Sequence, residues 1–163
     1  LPEILKCGAA EMQHVVMAAA RIKADVVASD EREDGPRMTL NYGHSVGHAF
    51  EAATNYKKYK HGEAVAWGMI ALLAYGRDLG LLKADDAARL VRLILRIGRL
   101  PSIKEITIQK LWDAFVRDKK FRSGNIRMVF LPELGQAEIR TGIDASALRK
   151  FLKDFLASGG SLV

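Results

Sequence analysis

The chain has 163 residues, a formal net charge of +6, and a composition that is 49% hydrophobic but only 7% aromatic. That length is enough to bury the core of one domain, and the composition favours packed helices over a β-sandwich. The 25 basic residues are mixed with 19 acidic ones and form no dense block with interleaved aromatics, which argues against a nucleic-acid interface.

A single cysteine, Cys7, excludes an intrachain disulfide and fits a reducing compartment. The longest apolar run, between Glu63 and Arg77, is too short for a membrane span of roughly 20 residues. The start of the chain lacks the basic and small-residue regions of a signal peptide. We therefore expect a cytoplasmic protein that does not contact a membrane. The absent initiator methionine suggests a fragment or an excised domain.

In chain order, the first strong pattern is an apolar stripe that predicts a helix over residues 9–29. The segment "DEREDGPR" then breaks this helix. A second helix is predicted from about Thr39 to Ala53, followed by the polar loop "TNYKKYK". A third, rich in small and apolar residues, is predicted over residues 62–79, with Gly80 as the residue just beyond its end.

The next segment predicts an amphipathic helix with Asp85 as its N-cap and its end at about Gly98. We expect four apolar residues to form the buried face of this helix: Leu90, Leu93, Ile94 and Ile97. The opposite face is a row of arginines, which we interpret as a solvated surface rather than a phosphate site: Arg89, Arg92, Arg96 and Arg99.

The remaining segments complete a mainly α fold with one small β-hairpin near the C-terminus. "TIQKLWDAFVRDKK" predicts a helix, and "NIRMVFLPELGQAEIRTGI" predicts a hairpin about a Pro-Glu-Leu-Gly turn. A last helix is predicted from about Ala145 to Leu156. We expect a single domain over residues 1–163.

Three of the four histidines cluster in "LNYGHSVGHAF" and "KHGEAVAWGM". On a helix, His44 and His48 would share a face, which is the spacing that offers two imidazoles to one Zn²⁺. His61 begins a new helix after a loop and could fold back beside them. Gly43 and Gly47 each cost about 1 kcal/mol of helix stability, which makes sense if a ligand or another backbone comes close. The residues alone leave a metal or catalytic site and a set of packed core histidines equally open.

The run "IKADVVASDEREDGPRMTLNYGHSVGHAFE", with "HGEAVAWGM" and "RDKKFRSGNIRMVFLPELGQAEI", resembles the 3-dehydroquinate synthase family over nearly the whole chain. The corresponding part of that family is its C-terminal domain, which binds metal and substrate. The resemblance implies a mostly helical domain, Zn²⁺ or Co²⁺, and a homodimer when full length. It also implies NAD⁺, bound mainly by an N-terminal domain that nothing in this sequence resembles.

The implied reaction is that of a carbon–oxygen lyase of the shikimate pathway, with a phosphorylated sugar acid as the small-molecule partner. It converts 3-deoxy-D-arabino-heptulosonate 7-phosphate to 3-dehydroquinate and phosphate. Carried over position by position, the resemblance implies Glu3, His44 and His61 as metal ligands. It implies His48 and Lys6 as catalytic residues, with His48 moving protons. Substrate contacts are implied for Lys6, Lys23, Arg37, Asn41, His48 and Lys120, with Lys119 as the alternative to Lys120.

Several of these residues also have plainer explanations. Arg37 could pair with acids of its own loop, Asn41 could cap the following helix, and Lys23 could lie on a solvated helix face. Glu63 could contact a histidine N–H or serve as a first-turn helix acid, and we favour the helix role. The family has several tens of residues between its Glu-x-x-Lys segment and the lysine at Lys23. Here only a short stretch separates Lys6 from Lys23. Either this protein has lost a helical segment, or the sequence omits one.

Three alternative functions are compatible with part of these motifs. Sister sugar-phosphate cyclases, of the 2-deoxy-scyllo-inosose or 2-epi-5-epi-valiolone synthase type, use substrates without the carboxylate, so Arg37 and Asn41 favour the dehydroquinate reaction. A metal-dependent alcohol dehydrogenase of the polyol type is disfavoured by the full motif. A non-catalytic helical module that binds only a metal or a partner is the remaining alternative.

Overall fold

The structure is a computed structural model that describes residues 2–6, 8–32, 35–117 and 126–161. The chain divides into two compact units, Leu1–Leu40 and Asn41–Val163. A single domain over the whole chain stays a prediction.

The first unit is helical. It contains α1 (Pro2–Leu5), α2 (Ala9–Ser29) and most of a 3₁₀-helix, Pro36–Asn41. The predicted helix over residues 9–29 is confirmed at both ends, because its apolar stripe has an unbroken helical period.

The second unit is built around one central helix. Its elements are α3 (His44–Ala53), α4 (His61–Asp78), α5 (Ala84–Ile97), α6 (Ile108–Arg117), β1 (Met128–Glu133), β2 (Gln136–Arg140) and α7 (Ala145–Ala157). Helices α3, α5 and α7 and strand β1 all pack against α4, whose residues Ile70, Ala71 and Ala74 are fully buried. Four phenylalanines from the surrounding elements fill the core: Phe50, Phe115, Phe130 and Phe155.

The predicted mainly α fold with one C-terminal hairpin is confirmed. The two strands are antiparallel, with Met128 opposite Arg140 and Phe130 opposite Glu138. The register shifts between Phe130 and Glu133, where Pro132 lacks the N–H that a regular ladder needs. Among the described residues, no helix is both long enough and apolar enough to cross a membrane.

Two predicted helix starts are wrong. The helix expected from Thr39 begins only at His44, because Gly43 adopts a left-handed conformation with φ of 83° that separates it from the 3₁₀-helix. The next helix is capped by Lys83 rather than Asp85. Asp85 lies inside its first turn, where a carboxylate suits the positive end of the helix dipole.

The predicted buried face of α5 is only partly right. Leu93 and Ile97 are 44% and 64% exposed. The side that packs on α4 is the line Ala87, Leu90, Val91 and Ile94, spaced at i, i+3, i+4 and i+7. The four arginines of the segment are exposed, as expected for a solvated surface.

Helices α3 and α4 approach each other closely at three glycines. A Cβ on Gly43 would lie 2.7 Å from Met69 Cγ, and a Cβ on Gly47 would lie 3.0 Å from the carbonyl oxygen of Ala64. A Cβ on Gly68 would overlap the carbonyl oxygen of Gly43. The sequence left two explanations for Gly43 and Gly47, a close ligand or a close backbone. The structure shows the close backbone of a neighbouring helix.

We expect Gly68→Ala to lower the free energy of unfolding by about 3 kcal/mol, the upper end for an overpacked core, because backbone atoms cannot rotate away. Gly76→Ala in the same helix is the matched control. Its Cβ would lie 3.6 Å from Phe130 Cδ1, an ordinary contact, so stability should be unchanged or raised by up to about 1 kcal/mol. Denaturant unfolding compares the two variants, and equal stabilities would contradict the tight α3–α4 contact.

Candidate metal centre

Three histidines lie at the place where the starts of α3 and α4 meet. His44 is the first residue of α3, and His61 is the first residue of α4. His48 follows His44 by one helical turn and therefore lies on the same face. Because the glycine contact holds α3 against α4, two segments separated by a loop contribute to one cluster.

The three imidazole rings contact one another. Their centroids are 5.3 Å apart for His44 and His61, 5.5 Å for His44 and His48, and 5.7 Å for His48 and His61. The prediction that His61 folds back beside the other two is confirmed. Rings at this separation can direct nitrogens at one small ion, and they lie at the edge of the core rather than within it, since His48 and His61 are exposed.

Hydrogen bonds distinguish two of these histidines from the third. His44 Nδ1 lies 3.3 Å from the carbonyl oxygen of Tyr42, and His61 Nδ1 lies 3.2 and 3.3 Å from the carboxylate oxygens of Glu51. Both partners are acceptors, so Nδ1 carries the proton in each ring and Nε2 keeps its lone pair. Within the described part of the chain, the His48 side chain makes no hydrogen bond.

The pKa of His44 is lowered from its ordinary value, mainly because partial burial disfavours the charged imidazolium. Its hydrogen bond to the Tyr42 carbonyl opposes this shift, and the neighbouring His48 and His61 add to it. A lowered pKa keeps the ring neutral near neutral pH, and the neutral ring is the form that binds metal.

Glu51 is a member of the cluster that the sequence analysis missed. It is 8% exposed, and ligand atoms of His48, Glu51 and His61 all lie within 4.8 Å of one another, close enough to hold a metal ion. The available signal was its position three residues after His48 on the same helix. Glu63 has the helix role that we favoured, because its carboxylate accepts the backbone N–H of Lys60 at 2.8 Å.

The implied substrate-binding residues of the first unit have ordinary local environments. Lys6 and Lys23 are exposed. Arg37 donates from Nη1 to the carbonyl oxygen of Glu31 at 2.7 Å, and its backbone N–H donates to the Asp30 carboxylate at 3.0 Å. Arg37 is thus held by its own loop, its guanidinium by a backbone carbonyl and its backbone N–H by an acidic side chain. The substrate roles of these three residues stay predictions.

Asn41 ends the 3₁₀-helix and is half-buried. The N-cap residue of α3 is Gly43, two residues later. The capping role and the substrate role of Asn41 both stay predictions. Lys119, Lys120 and the Glu3 side chain lie outside the described residues, so their roles stay predictions as well.

A cleft of about 700 Å³ opens beside the cluster, lined in part by His48, Glu51 and Arg117. Asn55 and Tyr56, from the loop between α3 and α4, also line it. Both have positive φ, 53° and 56°, a conformation that non-glycine residues rarely adopt. Arg117 was not among the predicted site residues, although it is the first residue of the segment "RDKKFRSGNIRMVFLPELGQAEI" that carries the family resemblance. The cleft thus carries an imidazole, a carboxylate and a guanidinium, of which the Arg117 guanidinium is the group suited to bind a small anion.

Comparison with known proteins gives 3-dehydroquinate synthases as relatives. The 3-dehydroquinate synthase C-terminal family matches residues 1–121. A 3-dehydroquinate synthase of Solibacter usitatus is 38% identical over 146 residues, which cover 90% of this chain and 41% of the relative. One from Pelotomaculum thermopropionicum is 38% identical over 162 residues, which cover 98% of this chain and 42% of the relative. The chain thus spans about two fifths of the length of these relatives.

Among solved structures, a 2-deoxy-scyllo-inosose synthase complexed with carbaglucose-6-phosphate, NAD⁺ and Co²⁺ has a similar fold. The TM-score is 0.67 at 22% identity, over 84% of this chain and 39% of that one. At this identity the likeness concerns the fold alone. The family match covers most of the chain and includes all three clustered histidines, and from it we conclude that this chain belongs to the 3-dehydroquinate synthase C-terminal family.

Proposed function

We propose that this chain is the metal- and substrate-binding part of a 3-dehydroquinate synthase. The observation that carries the proposal is the histidine cluster, three rings from two segments with centroids 5.3 to 5.7 Å apart, in a chain of this family. The activity is that of a lyase in the shikimate pathway, with 3-deoxy-D-arabino-heptulosonate 7-phosphate as substrate. NAD⁺ would bind mainly to an N-terminal domain, and the full-length enzyme would be a cytoplasmic homodimer.

The proposed metal ligands are Glu3, His44 and His61. A carboxylate with two imidazoles suits Zn²⁺ or Co²⁺ and leaves positions open for substrate oxygens. The hydrogen bonds of His44 and His61 support this choice, because each ring has its Nδ1 occupied and its Nε2 available. When bound, such an ion lowers the pKa of a coordinated hydroxyl and polarises the bond that loses hydride.

A second ligand set is compatible with the side chains alone. His48, Glu51 and His61 have ligand atoms within 4.8 Å of one another. We favour the first set because no acceptor among the described residues orients His48. A group free to turn and exchange protons suits an acid–base role better than a fixed ligand does.

We assign His48 to proton transfer. It is exposed, lies on the cleft, and stands one turn from a proposed ligand, within reach of a substrate that sits on the metal. Lys6, Lys23, Arg37, Asn41 and Lys120 would neutralise and orient the substrate's carboxylate and phosphate. The net charge of +6 favours the approach of such an anion.

The sister cyclase reaction is the nearest alternative. Its support here is the fold likeness to an inosose synthase at 22% identity, whereas relatives at 35–39% identity over most of this chain carry the dehydroquinate name. The direct test is turnover by the full-length protein with NAD⁺ and a divalent metal. We expect the heptulosonate phosphate to give 3-dehydroquinate with one phosphate released per turnover. Failure with this substrate, together with carbocycle formation from a hexose phosphate, would favour the sister reaction.

We expect His44→Ala and His61→Ala in the full-length protein to remove most bound metal, because each deletes one of three protein ligands. His14→Ala, an exposed histidine on α2, is the matched control and should keep wild-type metal content. Metal content is measured by elemental analysis after dialysis. Wild-type content in both cluster variants would show that the ligand assignment is wrong.

His48→Ala should behave differently. As an acid–base residue, its loss should leave one metal per chain and lower turnover by roughly 10²–10⁴-fold. The pH–rate profile should also lose or shift one limb, because the residue that takes and gives the proton has gone. If zinc content falls in step with activity, His48 is a ligand and the second ligand set is the better one.

A further inference from the structure

Glu51 is a buried acid in an unfavourable place. The residue is 8% exposed, and it lies in the last turn of α3, which ends at Ala53. Burial of a carboxylate is costly unless it is hydrogen-bonded, and the negative end of a helix dipole adds to the cost. Helix stability alone would therefore select another residue at this position, which points to a role for the carboxylate.

The partner of this carboxylate is His61. Both Glu51 oxygens lie within 3.3 Å of His61 Nδ1, and the ring's opposite nitrogen is left unbonded among the described residues. Glu51 is also fixed in place through its backbone, because its carbonyl oxygen accepts the N–H of Tyr56 at 2.8 Å and that of Thr54 at 3.2 Å. The acid therefore joins the end of α3 to the start of α4, across the loop that separates them.

We propose that Glu51 is a positioning residue that fixes the tautomer and ring orientation of His61, so that Nε2 is the nitrogen that binds metal. The proposal rests on the metal site of the proposed function and adds to it the group that prepares one ligand. A carboxylate that accepts the Nδ1–H of a ligating histidine makes Nε2 a stronger donor and limits rotation of the ring.

The alternative is that Glu51 itself binds the ion. The two roles differ in whether His61 Nδ1 keeps its hydrogen when the ion is bound. If Glu51 and His61 Nδ1 shared a metal, the ion would take the place of the proton between them. If Glu51 positions His61, the proton stays and the ion binds on the opposite side of the ring. Whether that proton stays once the ion is bound therefore separates the two roles. Whether Glu51 sets the tautomer of His61 at all can be observed without metal or activity.

The first experiment records ¹⁵N–¹H spectra of histidine-labelled, metal-free full-length protein at a pH where the imidazoles are neutral. We expect His61 to be protonated on Nδ1 in the wild type. In Glu51→Gln, a neutral amide of the same shape, the two tautomers should be mixed, because an amide can accept from or donate to Nδ1. Glu51→Leu, which fills the buried volume without an acceptor, should favour protonation on Nε2. The same tautomer in all three proteins would overturn the proposal.

The second experiment titrates the same proteins with Co²⁺ and follows the metal's absorption bands. Loss of a positioning carboxylate should weaken metal affinity by roughly 10–100-fold, with one ion still bound at saturation and the shape of the bands retained. Glu63→Gln is the matched control. It neutralises an acid two residues from His61 that caps α4 instead, and it should change the affinity less than threefold.

The remaining outcomes of the titration distinguish a positioning role of Glu51 from a ligand role, and both from a failure of the proposed function. Bands of a different shape and loss of stoichiometric binding in Glu51→Gln would make Glu51 a ligand and overturn the positioning role. An unchanged affinity would overturn it while the proposed function stands. A wild-type protein that binds no metal would overturn both. Thermal unfolding of the variants shows whether any loss comes from the fold instead.

Discussion

The close contact between α3 and α4 is the constraint on which the rest of the site depends. It exists because Gly43, Gly47 and Gly68 have no side chains where the two backbones meet. A left-handed Gly43 also ends the preceding 3₁₀-helix and lets α3 begin at His44, while α4 begins at His61. Two helix starts are thereby placed side by side, and the histidine that opens each helix joins the cluster. The glycines reduce helix propensity, and the buried contact with the largely buried helix α4 offsets that cost.

The polar groups of the cluster divide into fixed and free members. A backbone carbonyl fixes one ring, His44, and a buried carboxylate fixes a second, His61. The third ring, His48, lies on the cleft and is exposed. Fixed rings with an available Nε2 are suited to hold an ion, and a free ring beside them is suited to move a proton. Under the proposed roles, one cluster of identical side chains would perform two kinds of chemistry, and the difference would come from what each Nδ1 contacts.

Periodicity was enough to predict the elements, but not the contacts between them. The helix at residues 9–29 and the C-terminal hairpin were predictable because their patterns are long and uninterrupted. The start of α3 was not, because a single glycine conformation decides it. The face of α5 was partly misassigned because Leu93 and Ile97 fit the apolar period, yet none of the described elements covers them. Glu51 was missed for a related reason. Its partner lies ten residues away, across a loop whose path no local pattern specifies.

The most direct test of this account is a crystal structure of the full-length protein grown with zinc, with anomalous diffraction measured at the zinc absorption edge. The account predicts one strong anomalous peak per chain, bonded to Nε2 of both His44 and His61, with α3 and α4 still in contact at the three glycines. It also predicts that Glu51 remains on His61 Nδ1 and that His48 is not bonded to the ion. A peak bonded to Glu51 and His48, or to Nδ1 of His61, would contradict it.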